Sequence, residues 1–176
     1  LGSEDDPESL ISRQVGFWRE NLADVPEVLS LPTDRPRPPV QSFRGATVPS
    51  DVSASAHRAL TRVARENDAT MFMVVHAAVA VLLSRLSGSD DVAVGTPIAG
   101  RGERALDDLI GMFVNTLVLR TRVESSASFA EVLEQARAVD VAAFGHADVP
   151  FERLVEELAP TRSTAHAPLF QVLLVF

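Results

Sequence analysis

From Met71 to Leu83 every side chain is apolar except His76. A helix through this run is apolar nearly all round, and such a helix is stable only when it is covered. The run is shorter than the roughly 20 residues that a membrane span needs. It therefore predicts a buried helix, Met71 to Leu86, around which the other elements must pack. Thr70 is placed to cap its N-terminus, and Gly88 is placed to end it in the left-handed conformation. His76 is the one polar intruder, and it is expected as a hydrogen-bonded core histidine rather than a ligand or base.

Bulk properties narrow the function classes. At 176 residues the chain holds one domain, or one lobe of a larger one. A formal charge of −8 argues against a nucleic-acid or anionic-membrane surface. The absence of cysteine excludes a disulfide scaffold, a thiolate nucleophile and a cysteine-based zinc site. Four scattered histidines at 57, 76, 146 and 166 lack metal-ligand spacing. The acidic N-terminal stretch has no apolar core, so no signal peptide is expected, and a cytoplasmic protein is.

The remaining helices announce themselves by period and caps. Leu10, Ile11, Val15, Trp18 and Leu22 recur at helical spacing. Ser53 caps a helix over Ala54 to Asn67 with Ala56, Leu60, Val63 and Ala64 as its stripe and His57 in solvent. Ser128 and Glu131 form a capping box for a helix that aligns Phe129, Val132, Leu133, Ala136, Val139 and Ala143. A short helix follows, with Asp148 or Val149 ending the preceding loop, Pro150 in its first turn, an apolar face of Phe151, Leu154, Val155 and Leu158, and Pro160 closing it. Four prolines in the nine positions from Leu31 to Pro39 mark an extended connector.

Four segments read as strands. Phe43 to Val48 is one, and Val92 to Ile98, apolar on both faces, is a central one. The third alternates Leu117, Leu119 and Val123 against Val114, Thr116, Val118, Arg120 and Arg122. The last, Pro168 to Phe176, is apolar apart from Gln171 and is expected as a buried strand, which suggests a chain that is part of something larger. Asn115 and Thr116 lie in the apolar approach to the third strand. They must bond a neighbouring backbone or line a tunnel and meet a substrate amide, since an unpaired buried amide or hydroxyl costs about 1–3 kcal/mol. The turn Ala99-Gly-Arg-Gly102 has no Lys-Ser/Thr and enters an acidic segment, so a nucleotide site is not expected.

Several motifs together resemble one family. Ile110-Gly-x-Phe-Val-Asn-Thr-Leu-x-x-Arg120 is similar to a core motif of the condensation domains of nonribosomal peptide synthetases. A Trp18-Arg-x-x-Leu22 helix followed by Leu31-Pro-Thr-Asp-Arg-Pro-Arg-Pro38 resembles the same family, as does Gly95-Thr-Pro-x-x-Gly-Arg101. His146-x-Asp-Val-Pro-Phe-Glu152 matches with Ala147 for the usual glutamine. Arg162 to Leu169 matches more loosely, with Ser163, Ala165 and His166 replacing Asp, Ser and Arg, and Pro168 to Val172 continues it. The motifs keep the family's order across nearly the whole chain.

The resemblance implies an α/β fold: a mixed β-sheet covered by helices, one chloramphenicol-acetyltransferase-like lobe of a two-lobed condensation domain. The family's His-His-x-x-x-Asp-Gly motif is missing, for none of the four histidines are adjacent. Residues 1–176 are thus expected as the C-terminal lobe, inactive by itself, with the catalytic histidine on an N-terminal lobe outside them. The implied reaction joins a donor acyl or peptidyl thioester to an acceptor aminoacyl thioester. Both are presented on 4'-phosphopantetheine by carrier domains, with an adenylation domain as neighbour and no cofactor bound directly. Asn115 and Thr116 are the implied tunnel contacts, and Thr96 and Arg101 are weaker candidates. His146 and Asp148 both precede a helix and are expected to be structural, with Asp148 as its natural cap, or to face the carrier. A lobe of an epimerisation domain and a non-catalytic carrier-docking module are the alternatives.

Overall fold

The computed structural model describes residues 1–100, 108–161 and 163–176. Arg101, most of the acidic segment and Arg162 lie outside the described residues. In chain order come α1 (Leu10–Asn21), α2 (Ala54–Glu66), α3 (Met71–Ser87), β1 (Asp91–Ile98), β2 (Asn115–Arg122), α4 (Phe129–Gly145) and α5 (Phe151–Leu158). The caps explain these boundaries. The hydroxyls of Ser53, Thr70 and Ser128 accept from the backbone N–H groups of Ala56, Met73 and Glu131. Gly88 ends α3 at φ 71°.

β1 and β2 pair antiparallel, from Asp91 opposite Arg122 to Ile98 opposite Asn115. The other edge of β1 takes residues 172–174 in parallel. Gly95 N–H donates to the Val172 carbonyl at 2.9 Å, and Leu174 N–H donates to the Gly95 carbonyl at 2.8 Å. β1 thus has a neighbour on each edge, β2 along its length and a single parallel bridge at Gly95, in keeping with its two apolar faces. Gly95 permits this approach, since a Cβ there would sit 2.3 Å from the Phe170 ring.

Helices cover this sheet as expected. α1 packs on α5 and α5 on β2, while α3 packs on β1, α4 on β2 and α3, and α2 on α3. Ile11, Val15 and Trp18 of α1 and its C-cap Leu22 form one core with Leu117, Leu119 and Leu154. Val74 and Ala77 form another with Val123, Val132 and Leu133. Each fully buried leucine or valine contributes about 1.5–3 kcal/mol. Among the described residues no single helix is long and apolar enough to cross a membrane.

Three expectations need correction. α3 is buried on one side only: Val74, Ala77, Ala80 and Leu83 are covered, but Leu82 is 55% exposed. Phe43 to Val48 is not a strand. No described strand lies beside it, Phe43 is 91% exposed, and its φ of 54° is left-handed rather than extended. Pro168 to Phe176 is not a buried strand either. It meets β1 only around Gly95, Leu169 alone is well buried, and Phe176 is 73% exposed. β-structure needs a partner at each hydrogen-bonding edge, and composition does not supply one.

His76 is fully buried, and its partners come from two other elements. Its Nδ1 lies 2.8 Å from Asp140 Oδ1 on α4, and its Nε2 is 3.4 Å from the Thr121 hydroxyl on β2. The Asp140 contact is off the hydrogen-bond direction, and neither Asp140 oxygen receives an aligned donor. It is therefore a close buried polar contact more than an aligned hydrogen bond, and it ties α3 to α4.

Candidate functional site

A cavity of about 460 Å³ opens where β1 ends and β2 begins. Its walls are Ile98 to Gly100, Met112 to Asn115, and the loop between α4 and α5, through Ala147, Asp148, Pro150 and Glu152. Gly100 draws the first two walls together. Its φ is 62°, and a Cβ there would lie 1.7 Å from the Phe113 carbonyl oxygen, so the position admits no side chain.

Asn115 builds the third wall. Its Oδ1 accepts from the N–H groups of Thr116 at 2.8 Å and Phe151 at 3.0 Å. Its Nδ2 donates to the carbonyls of Ala147 at 3.0 Å and Val149 at 2.8 Å. A carboxamide has two acceptor positions and two donors, and here all four are taken by the protein. One side chain on β2 thereby holds the five residues from Ala147 to Phe151, although it is 32 to 36 positions away in sequence.

That arrangement overturns the capping role expected of Asp148. Pro150 is the N-cap of α5 and makes no side-chain bond to the helix. The first helical N–H, that of Phe151, is satisfied by Asn115 instead. The Asp148 carboxylate turns the other way, and its Oδ2 accepts from Gln14 Nε2 at 2.7 Å. His146 caps the C-terminus of α4. Its Nδ1 lies 2.8 Å from the Ala142 carbonyl, and its ring stacks on Phe17 at 3.8 Å.

The other sequence candidates scatter. Thr116 is half-buried beside Asn115 and stands opposite Pro97 in the sheet. Thr96 is buried, and its hydroxyl donates to the Leu174 carbonyl at 3.0 Å, so it fastens the sheet edge rather than lining the cavity. Arg101 lies outside the described residues. No described histidine lines the cavity.

Two polar anchors near these elements escaped the sequence reading. Gln14 was readable as a polar residue on the apolar face of α1, between Ile11 and Trp18. Arg120 ends the central motif, but its sequence carried no sign of its partners. It forks onto Asp91, with Nη2 2.6 Å from Oδ2, and donates to the carbonyls of Asn21 and Ala23. Donation to the Asp91 carboxylate raises its pKa further above the ordinary guanidinium value. Arg120 thereby closes the C-terminal end of α1 onto the sheet.

Two carboxylates, Asp148 and Glu152, line the cavity, and no described lining residue is cationic. Such a site favours an amine-bearing ligand over a phosphate. Among the described residues no three histidine, aspartate or glutamate side chains could hold a metal ion.

The family model described as Condensation domain matches residues 5–176. The chain is 53% identical over 173 residues to a probable non-canonical nonribosomal peptide synthetase of Salinispora arenicola, CymA, covering 98% of the chain and 2% of that protein. It is 54% identical over 176 residues to the isonitrile lipopeptide synthase of Mycobacterium tuberculosis, covering 100% of the chain and 7% of that protein. The chain thus spans a small fraction of the relatives it matches. Among solved structures, the X-domain from teicoplanin biosynthesis superposes with a TM-score of 0.91 at 34% identity, over 97% of this chain and 38% of that one.

Proposed function

The chain belongs to the condensation-domain family, and from that premise we propose that it is the C-terminal lobe of such a domain in a nonribosomal peptide synthetase. With an N-terminal lobe it walls the tunnel in which two carrier-bound thioesters meet. The acceptor amine attacks the donor thioester carbonyl and forms the C–N bond. The C–S bond breaks, the thiol of the donor arm leaves, and the amine proton passes to it. A thioester is already activated, so the main contribution required of the protein is positioning.

The observation that carries this reading is the cavity. Three family motifs converge on it, Asn115 braces its wall, and its two carboxylates suit an incoming aminoacyl group. The phosphate of a carrier arm finds no described cation there, so the cavity fits the aminoacyl end of the acceptor. Asn115 acts as wall and not as chemistry, and Thr116 stands beside it in the sheet. Thr96 supports the sheet behind them, and Arg101 is assigned to the mouth by the family motif alone. His146 and Asp148 hold the loop from α4 to α5. The catalytic histidine belongs to the other lobe. The partners are that lobe, the donor and acceptor carrier domains and an adenylation domain, at a cytoplasmic site.

The test is reconstitution. The chain is mixed with a separately expressed N-terminal lobe carrying His-His-x-x-x-Asp-Gly, a loaded donor carrier and a loaded acceptor carrier. Dipeptidyl thioester on the acceptor is read by intact mass. Product that requires both lobes supports the proposal. Tight lobe association without product contradicts it and favours a non-catalytic carrier-docking module.

A further inference from the structure

The cavity wall has a second anchor that approaches from the opposite side. Gln14 is 2% exposed on α1. Its Nε2 donates to Asp148 Oδ2 at 2.7 Å, and its Oε1 accepts from the Asp148 backbone N–H at 3.0 Å. Only one orientation of the amide serves both contacts, because the backbone N–H needs an acceptor and the carboxylate needs a donor. Two neighbours on α1 hold the same loop. Trp18 Nε1 donates to the His146 carbonyl at 2.8 Å, and Phe17 stacks on the His146 ring. The loop is therefore gripped by α1 at 146–148 and by β2 at 147–151. Gln14 does not itself line the cavity, whereas Asp148 does.

We propose that Gln14 is a positioning residue for condensation: its clamp on Asp148 fixes the cavity wall and with it the seat of the acceptor aminoacyl group. This rests on the reading of the cavity given above. A buried carboxamide with both ends engaged has one geometry, and a carboxylate held through one oxygen keeps the other free to meet a ligand. Hydrogen-bonding partners separated by 134 positions make α1, remote in sequence from both β2 and α5, part of the site. Misplacement of a reacting group by about 1 Å can lower a rate on the order of a hundredfold, so loosening this wall reaches the chemistry without contact to it.

The test uses the intact synthetase and three variants. Gln14→Met keeps length and volume but offers no hydrogen bond. Gln14→Glu sets a second carboxylate against Asp148. The double exchange Gln14→Glu/Asp148→Asn restores a bidentate pair with the donor reversed, because the new amide donates to the new carboxylate while the backbone N–H still finds an acceptor. Two readouts are taken. Amide hydrogen exchange over residues 146–152 is expected to quicken about tenfold in both single variants and to return toward the parent rate in the double exchange, with α3 unchanged. Dipeptidyl-thioester formation against acceptor-carrier concentration, read in Gln14→Met, which keeps the Asp148 carboxylate, is expected to lose about tenfold in saturating rate, with the half-saturating concentration nearly unmoved. A merely structural residue would not split the two kinetic constants in this way.

Unchanged exchange in Gln14→Met overturns the clamp. Faster exchange with an unchanged saturating rate overturns its role in condensation. Exchange that stays fast in the double exchange also overturns the clamp, because the restored pair would then not hold the loop. If the parent synthetase forms no dipeptide at this domain, the condensation reading fails by itself, while the exchange readout still decides whether Gln14 holds the wall.

Discussion

Replacing Asn115 by alanine removes four hydrogen bonds at once. Each intramolecular hydrogen bond is worth about 0.5–1.5 kcal/mol net. The full sum is reduced because the site is half-buried and water can reach some of the freed groups. Val149 is buried, however, so its carbonyl has little access to a replacement. We expect a loss of about 3 kcal/mol, roughly a hundredfold in the unfolding equilibrium and a large share of the 5–15 kcal/mol typical of a domain. Trp18 is the single tryptophan and is fully buried, so its fluorescence follows urea unfolding directly. The midpoint should fall at an unchanged slope. Asn115→Asp sharpens the test. It keeps both acceptor contacts but turns a second oxygen toward two carbonyls, and only the protonated acid can donate to one of them. Its deficit against the parent should therefore shrink between pH 7 and pH 4. A change of less than about 0.5 kcal/mol in Asn115→Ala would be that of an ordinary surface position, and would refute the assignment of Asn115 as the brace.

Gly95→Ala should destabilise the chain by about 1–3 kcal/mol through the clash with Phe170, and Phe170→Leu should relieve part of it in a double-mutant cycle of urea midpoints. Asp140→Ala should cost about 1–3 kcal/mol by leaving the buried His76 Nδ1 without its polar neighbour on α4, whereas His76→Leu/Asp140→Val should cost less than that single change; additive losses would contradict coupling. The pKa of Glu157 is held below the ordinary glutamate value by hydrogen bonds first from Arg19 and then from Arg153, and Glu4 is lowered likewise by Arg153. Their contribution is present above the ordinary glutamate pKa and is lost as pH falls through the lower folded value, where the unfolded chain binds more protons. Stability should therefore decline with acid below about pH 4.5, less steeply in Glu157→Gln and less steeply in high salt, as urea melts from pH 3 to 6 would record.

Much of the fold was legible because its signals are local. Ser53, Thr70 and Ser128 begin helices by bonding an N–H three residues on, and Gly88 ends one by tolerating a positive φ. A buried hydrogen-bonded His76 followed from its surroundings on its own helix, and the central position of β1 followed from its two apolar faces. The motif around Asn115 runs along the cavity wall, and its spacing placed the residue on the approach to a strand.

The partners were not legible, because a side chain's chemistry states what it needs and not where it finds it. Asn115 could have met a backbone or a substrate. The position of the loop from α4 to α5 decided for the backbone, and so removed from Asp148 the capping role its place in the sequence suggested. Phe43 to Val48 had strand composition but no described neighbour to pair with. The sequence by itself determined the helices, their boundaries, the central strand and the family motifs, since these depend on contacts within a few residues. Only the tertiary structure decided that Gln14, Asn115 and Asp148 meet around one loop, because hydrogen bonds spanning 32 to 134 positions exist only once α1, β2 and α5 have packed.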